Sequence, residues 1–272
     1  MPRSARRLLQ EPPDRPALGV ALDGRHLLMT LDEFLAELRL LPDAVLHPGA
    51  SIDAIGKLEQ RYGIRLPAIH RELLLRTNGI EAAGGYLRLY GVGPDAGVDM
   101  EAWNEPELWK FSWHPFVADL LCFGGDCWGY QFAYRFADLS TDVPDAPSHM
   151  VAVGHRRPRP SNQTFEEYLY EGFLTNARHK RAAFDRRVRK KVGDLVPDEL
   201  LALAPDPIIG GAERVGNVVK MPAATVMIIL GDTQSEWSRA SRATGRNTEV
   251  TGVVAYVDEK GRRRIRLGDR PR

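Results

Sequence analysis

Two cysteines and a histidine are the first residues to weigh as a chemical site. Cys122, Cys127 and His114 lie close together in the sequence, and thiolate and imidazole groups are the usual zinc ligands. Their spacing matches no compact zinc pattern, however, and no fourth ligand is evident. We therefore predict no metal site, with one cysteine packed on a strand and the other in a turn.

Three glycine pairs invite comparison with phosphate-binding loops. They are Gly84-Gly85, Gly124-Gly125 and Gly210-Gly211. None of them stands in a G-x-G-x-x-G or Walker pattern between a strand and a helix. The glycines are better explained by turn geometry, which needs a residue without a Cβ atom.

The acidic and nucleophilic side chains form no recognisable catalytic set. Asp126 follows a glycine pair, where a carboxylate more often accepts hydrogen bonds from the N–H groups of its own turn. No nucleophile-elbow sequence surrounds any serine. Six of the seven histidines stand in unrelated contexts, at positions His47, His70, His114, His149, His155 and His179. The sequence therefore predicts no catalytic residue, no enzyme activity and no cofactor.

A stretch rich in tryptophans and acids, residues 95–113, is the best candidate for binding a protein partner. Its members are Asp95, Asp99, Glu101, Trp103, Glu105, Glu107, Trp109 and Trp113. Tight interfaces use aromatic anchors ringed by polar groups, and an acidic surface suits a basic partner. We add Asp126, in the predicted 125–128 turn, as a secondary element of this surface. The alternative is that each tryptophan belongs to the core, where aromatic side chains are more often found.

Composition limits the other classes of function. The 272 residues carry a formal net charge of +1, with 43% apolar and 27% charged residues, as in a globular protein without a strong bias toward nucleic acid or anionic membranes. Two cysteines do not make a disulfide framework, and we find no transmembrane run and no signal peptide. We therefore expect a cytoplasmic protein. The basic segment 178–191 is a nucleic-acid candidate, but such runs are more often a solvated helix face, here with Phe184 and Val188 turned inward.

Local patterns predict most elements of the first half. Residues 1–17 have no periodicity and are interpreted as a flexible leader, and Asp23-Gly24 indicates a hairpin. Helices are expected over 31–41, 51–62 and 68–77, opened by Thr30, Ser51 and Pro67. Strands are expected over 86–90, 120–123 and 130–135, with residues 124–129 as the turn between the last two.

The second half is less clearly patterned. We expect a strand over 150–153, a helix opened by Thr164 and running to about residue 174, and a basic helical segment to residue 191. A short helix is expected over 197–203, a loop over 204–222 and an apolar β-rich run over 224–230. Residues 232–242 have helical character, and 250–258 and 262–267 form a closing hairpin.

The order of several motifs resembles the SUKH superfamily, which includes fungal cell-wall regulators and bacterial immunity proteins. The first part runs from Ile55 through Leu58-Glu59, Tyr62-Gly63 and Leu66-Pro67 to Asn78-Gly79. A strand at 86–91 follows, and then the segment 121–134 with its paired glycines and acidic turn residue. The helix opened by Thr164 closes the domain. The likeness covers about residues 45–175, and the stretch at 95–115 is an insertion relative to it.

The tail resembles the C-terminal domain of immunity proteins linked to type VI secretion. The residues that carry this likeness lie at 208–211, 217–222, 231–232 and 256–267. Both resemblances imply a bacterial immunity protein that occludes a cognate protein toxin, such as a nuclease, a deaminase or another effector. The alternatives are a regulatory interaction scaffold without a toxin partner and, less favoured, a nucleic-acid-binding module.

These observations predict an α+β protein. A SUKH-like domain over 18–175 has a mostly antiparallel sheet with packed helices, and a smaller α+β lobe covers 176–272. We expect neither a membrane partner nor, on balance, a nucleic-acid partner.

Overall fold

The computed structural model describes residues 29–139, 149–153, 158–178, 183–205, 207, 211–244 and 252–268. The predicted leader and the Asp23-Gly24 turn lie outside these residues. The α-helices are α1 Leu31–Arg39, α2 Ile52–Tyr62, α3 Ala68–Arg76, α4 Met100–Trp103, α5 Phe111–Trp113, α6 Phe165–Glu167, α7 Leu174–Arg178, α8 Ala183–Val192 and α9 Ala223–Thr244. The strands are β1 Val45–Leu46, β2 Ile80–Ala82, β3 Leu87–Leu89, β4 Leu120–Asp126, β5 Gln131–Arg135, β6 His149–Val153, β7 Arg159–Thr164, β8 Glu199–Leu203, β9 Val218–Pro222, β10 Gly252–Val257 and β11 Arg263–Gly268.

A seven-stranded antiparallel meander is the centre of the fold. Strands β1 to β7 lie side by side in chain order, and each pairs antiparallel with the next. Two smaller sheets, β8–β9 and β10–β11, follow in the C-terminal part. The predicted α+β class, with a mostly antiparallel sheet and packed helices, is confirmed.

The first two helices begin where their capping residues predict. The Thr30 side chain accepts from the Glu33 backbone N–H, and the Glu33 carboxylate accepts from the Thr30 backbone in return. Ser51 caps α2 with a single bond, because its side chain accepts from the Ala54 backbone N–H. Gly63 ends that helix in the left-handed conformation that glycine adopts without a steric cost. Each helix then buries one apolar face in the core.

Strand β4 continues through the glycines that were expected to form a turn. The structure places Gly124 and Gly125 opposite β3, and the strand runs through Asp126, so that the turn follows only at residues 127–130. An ideal Cβ at Gly124 would lie 2.7 Å from the carbonyl oxygen of Arg88, so a side chain has no room there. The prediction of a turn over 124–129 was therefore wrong at its start, because close strand packing also requires glycine.

Three C-terminal predictions are also corrected. The expected helix over 197–203 is β8, which pairs with β9, and β9 lies in the expected loop 204–222. The expected β-rich run over 224–230 is the beginning of α9. Its β-branched residues favour a strand locally, but packing of Val226 and Met227 in the core overrides that weak preference.

The hydrophobic core crosses the predicted lobe boundary at residue 175. Leu200, Ala223, Val226 and Met227 belong to the same buried cluster as the helices and the large sheet. A second cluster joins Tyr86 and Trp128 to α8, β8 and β9. The Arg88 guanidinium donates to the carbonyl oxygens of Val196, Pro197 and Glu199 at 2.7–3.2 Å. The C-terminal part is thus attached to the sheet by apolar and polar contacts; two separate domains remain a prediction.

Two helical glycines allow the effect of helix propensity on stability to be distinguished from the effect of side-chain packing. An ideal Cβ at Gly56 in α2 meets nothing within 4 Å, whereas one at Gly231 in α9 lies 2.4 Å from Ser112 Oγ and 2.5 Å from Trp113 Cδ1. We expect Gly56→Ala to raise the free energy of unfolding by about 0.5–1 kcal/mol. Gly231→Ala should lower it by about 1–3 kcal/mol, because the buried indole must move. Urea denaturation measures both, and a gain in stability from Gly231→Ala would contradict the packing of α9 on α5.

His70 gives the core a pH dependence. Its ring is 1% exposed, stacks on Phe165 with a centroid distance of 4.2 Å, and shares a hydrogen bond of 3.0 Å with the Tyr134 hydroxyl. Burial lowers the pKa of His70 to about 3. The folded protein therefore keeps His70 neutral, while the unfolded chain takes up a proton below its ordinary pKa of about 6.5.

We expect this imidazole to contribute stability above about pH 6.5 that is lost as the pH falls toward 3. At about pH 5 the loss from this group alone should be about 2 kcal/mol, at 1.4 kcal/mol per pKa unit. The measurement is the difference in unfolding free energy between about pH 7.5 and pH 5, for the parent and for His70→Gln. An equal difference in both proteins would show that His70 does not titrate as a buried group.

Candidate protein-interaction site

The three tryptophans of the insertion point into the protein. Trp109 is 0% exposed, Trp113 1% and Trp103 8%. The segment folds as α4, a π-helical turn at Pro106–Lys110 and α5, which together turn the indoles toward the sheet. The prediction that these tryptophans contact a partner is therefore wrong, and the core alternative holds.

Each buried indole N–H has an acceptor within the chain. Trp103 donates to Gln131 Oε1, Trp109 to the carbonyl oxygen of Trp103 and Trp113 to that of Met227, all at 2.8 Å. Gln131 Oε1 also accepts from the Tyr90 hydroxyl at 2.7 Å. Because buried polar groups are costly when unpaired, these bonds fix the orientation of the insertion.

The apolar side of the insertion is the docking site of α9. Ser235 Oγ donates to the Ser112 carbonyl oxygen at 3.1 Å, and Gly231 lets the helix approach Trp113. The β10–β11 hairpin adds the Arg262 guanidinium, 4.0 Å above the Phe111 ring centroid. The chain thus covers the aromatic side of its own insertion, and the acidic side faces outward.

The acidic side chains of residues 95–107 form the surface that remains for a partner, here named the acidic surface. It consists of Asp95, Asp99, Glu101, Glu105 and Glu107, all exposed or half-buried. Asp99 also caps α4, because its carboxylate accepts from the backbone N–H groups of Gly93 and Glu101 at 3.0 and 3.2 Å.

Most of these acids already have a cation nearby. The Arg61 guanidinium lies between Glu101, at 2.5 Å, and Glu105. Glu107 pairs with Arg262 at 2.9 Å. Asp95 is exposed and has no ion-pair partner among the described residues. The acidic surface is therefore partly neutralised from within, and exposed pairs of this kind are held weakly enough for a partner to exchange them.

Arg61 is the member of this surface that sequence reasoning missed. Glu101 and Glu105 are four residues apart, a spacing at which two side chains can share one cation. Nothing in the local pattern says that the cation comes from the end of α2, since that proximity is created by the tertiary fold.

Asp126 is not part of the surface. It is 6% exposed, and its carboxylate accepts from the backbone N–H groups of Trp128 and Tyr130 at 2.8 and 3.1 Å. Asp126 therefore stabilises the β4–β5 turn, which is the common role of a carboxylate in this position. Its assignment as a partner-binding residue was wrong.

The residues weighed for metal chemistry are apart from the acidic surface. Cys122 and Cys127 are buried and are not joined in a disulfide, and burial raises the pKa of Cys122 to about 11. Within the described part of the chain, no group of three or more histidine, cysteine or acidic residues is arranged to hold a metal ion. No helix among the described residues is long and apolar enough to cross a membrane.

The fold and this surface define a mixed helix and sheet protein whose candidate site is a face for a protein partner. Residues 49–171 match the model of the SMI1 / KNR4 family (SUKH-1). The resemblance to the SUKH superfamily is thereby confirmed over these residues, which include the whole acidic surface. The match supports a role in toxin immunity or in SMI1/KNR4-type protein interaction.

Other comparisons add little. No curated protein is significantly similar to the chain in sequence. One solved structure that superposes on it is Atu4351 from Agrobacterium tumefaciens, with 12% identity and a TM-score of 0.47, covering 71% of this chain and 86% of that one.

The burial of Trp109 can be tested through stability. We expect Trp109→Ala to cost about 3–5 kcal/mol of unfolding free energy, because it leaves a large cavity. Leu108→Ala is the matched control next to it; Leu108 is 37% exposed, and its loss should cost no more than about 0.5 kcal/mol. Trp109→Phe, which keeps a ring but lacks the N–H donor, covers the case in which the alanine variant does not fold. Wild-type stability in both Trp109 variants would place this side chain on the surface after all.

Proposed function

We propose that the chain is an immunity protein that binds a cognate toxin domain through the acidic surface and occludes it without catalysing a reaction. The observation that carries this proposal is the SUKH-1 match over residues 49–171, inside which the acidic surface is exposed. The proposed setting is the cytoplasm of a bacterium. A link to type VI secretion rests on the sequence likeness of residues 208–267 alone.

The acidic surface favours a basic partner. Carboxylates form their strongest hydrogen bonds with guanidinium and ammonium groups, so lysine and arginine side chains of a toxin are suitable contacts. A nuclease is a natural candidate, because the surface that holds its phosphate backbone is basic. Asp95 offers a carboxylate that has no ion-pair partner among the described residues, and the Glu101–Arg61–Glu105 group offers two more that a partner's arginine can join.

The buried aromatic layer makes this surface rigid. Trp103 and Trp109 alternate with the acids along the sequence, and their indole N–H groups donate hydrogen bonds within the core. A rigid surface loses little conformational freedom on binding, so more of the interaction energy appears as affinity. Opposite charges also accelerate the encounter, which matters for a protein that must capture a toxin before it acts.

A regulatory interaction scaffold is the second candidate. The chain matches the SMI1 / KNR4 family over residues 49–171, and the superfamily that its sequence resembles includes regulators as well as immunity proteins. The two functions differ in what the partner does when the chain is absent, and this difference is what the experiment must measure.

The test begins with recovery of partners from native cells on the tagged full chain. The recovered polypeptide is then expressed alone in a bacterial host. We expect it to stop growth and expect co-expression of the chain to restore growth. Asp95→Lys/Glu107→Lys should weaken the complex about tenfold or more, mostly through slower association, and should abolish the rescue.

The matched control is Asp53→Lys/Asp198→Lys, which makes the same change of charge at two exposed acids outside the acidic surface. The affinity of this variant for the partner should lie within about twofold of wild type, because both residues are outside the acidic surface. The variant should also fold normally, because substitutions at exposed positions usually change the free energy of unfolding by less than about 0.5 kcal/mol. A non-toxic partner would instead favour the scaffold function. Equal loss in both variants would mean that only overall charge matters, and it would remove the acidic surface as the binding site.

A further inference from the structure

The β10–β11 hairpin has one covered edge and one open edge. Strand β11 is attached to α9, because the Asp232 carboxylate accepts from the Ile265 backbone N–H at 2.8 Å and from the Arg264 guanidinium at 2.8 and 3.0 Å. Asp232 is 1% exposed, so this attachment is buried. Among the described residues, β10 pairs with no strand other than β11. The outer edge of β10 is therefore where a further strand can be added.

Strand β10 is apolar and exposed on both of its faces. Its six residues carry no charge. Val254 and Tyr256 lie on one face, 45% and 37% exposed, and Val253 and Val257 lie on the other, 39% and 65% exposed. Edge strands in monomeric proteins are usually protected by a lysine, a proline or a bulge. β10 has none of these three devices, which is typical of a strand that pairs with another chain.

The hydrogen bonds of the hairpin show which backbone groups of β10 point outward. In an antiparallel pair, residues that bond to the partner strand alternate with residues whose N–H and carbonyl groups point away from it. The Asp258 N–H donates to the Arg262 carbonyl oxygen at 2.9 Å, so Tyr256 and Val254 are among the residues that bond to β11. The residues of β10 that point to the open edge are therefore Val253, Ala255 and Val257.

The other strand of the hairpin supports this assignment independently. Ile265 lies opposite Ala255 in the register of the two strands. The Ile265 N–H donates to Asp232 and so points away from β10. Directly opposite residues share one type of pairing, so the backbone groups of Ala255 must point away from β11 as well.

We propose that β10 pairs with β10 of a second copy of this chain, antiparallel across a two-fold axis at Ala255. In this register Ala255 faces Ala255 of the second copy, and Val253 faces Val257. It is the register in which all the outward N–H and carbonyl groups of both β10 strands find partners. The same surface patch is used on both subunits, as a two-fold contact requires.

The side chains that face each other in this register are compatible. Val254 lies opposite Tyr256 of the second copy, and pairs of an aromatic with a β-branched side chain stabilise antiparallel strands. Ala255 is the smallest of the outward residues, and it lies on the axis, where two copies of one side chain meet. Because β10 is uncharged, the pairing places no like charges opposite each other.

The assembly closes at two copies and is weak. The outer edge of each β11 is already occupied where Asp232 binds Ile265, so no third hairpin can extend the combined four-stranded sheet in the same way. A pair of six-residue strands covers less than the ~800 Å² per partner that standard interfaces bury. We therefore expect a reversible dimer with a dissociation constant on the order of 100 µM.

The experiment is sedimentation velocity of the full chain from about 5 to about 500 µM. We expect the weight-average mass to rise toward twice that of one chain and no further. Ala255→Lys should raise the dissociation constant about tenfold or more, because it places two ammonium groups directly opposite each other. A urea denaturation midpoint equal to that of the parent at low protein concentration shows that this variant is folded.

Two controls separate the strand pairing from other effects of the substitution. Ala255→Thr keeps the position neutral and suited to a strand, so its dissociation constant should stay within about threefold of wild type. Leu40→Lys adds the same charge at a side chain that is 76% exposed and outside the hairpin, and it should also leave the dimer intact.

The proposal is overturned if the wild-type chain stays monomeric up to about 500 µM, where a dimer of the expected affinity is well populated. It is equally overturned if Ala255→Lys dimerises as the wild type does, if Leu40→Lys loses the dimer to the same extent, or if assembly continues to species larger than a dimer. None of these variants alters the acidic surface, so the outcome is independent of the proposed function.

Discussion

The hydrogen bond from the Trp113 indole to the Met227 carbonyl, with the apolar packing around it, joins the insertion of the SUKH-like segment to the C-terminal helix. A buried donor left without its acceptor costs on the order of 1–3 kcal/mol, so neither element can move away cheaply. This contact decides which side of the insertion is available. Its aromatic side is occupied by the chain itself, and its acidic side is exposed. The proposed function therefore depends on charge and hydrogen bonding at the partner surface, with the tryptophans as the support behind it.

How much the sequence could predict differs along the chain for physical reasons. Capping residues are local signals, so Thr30, Ser51 and Gly63 predicted their helix ends correctly. The apolar run at the start of α9 carries no periodicity, and its helical state comes from tertiary contacts that no local pattern records. The acids of residues 95–107 were recognised, but the orientation of the tryptophans and the position of Arg61 depend on residues far away in sequence. Spacing indicates which side chains can share a face, and only packing decides which face is covered.

The central claim is that the aromatic side of the insertion is closed by the chain's own C-terminal helix. The most direct measurement is hydrogen exchange of the indole N–H groups by NMR, with each tryptophan assigned. The account predicts that the Trp103, Trp109 and Trp113 indoles exchange only through global unfolding, with equal opening free energies, because all three are buried and bonded. Exchange of Trp113 at the rate of an exposed indole, while Trp103 stays protected, would show that α9 is not docked and would contradict it.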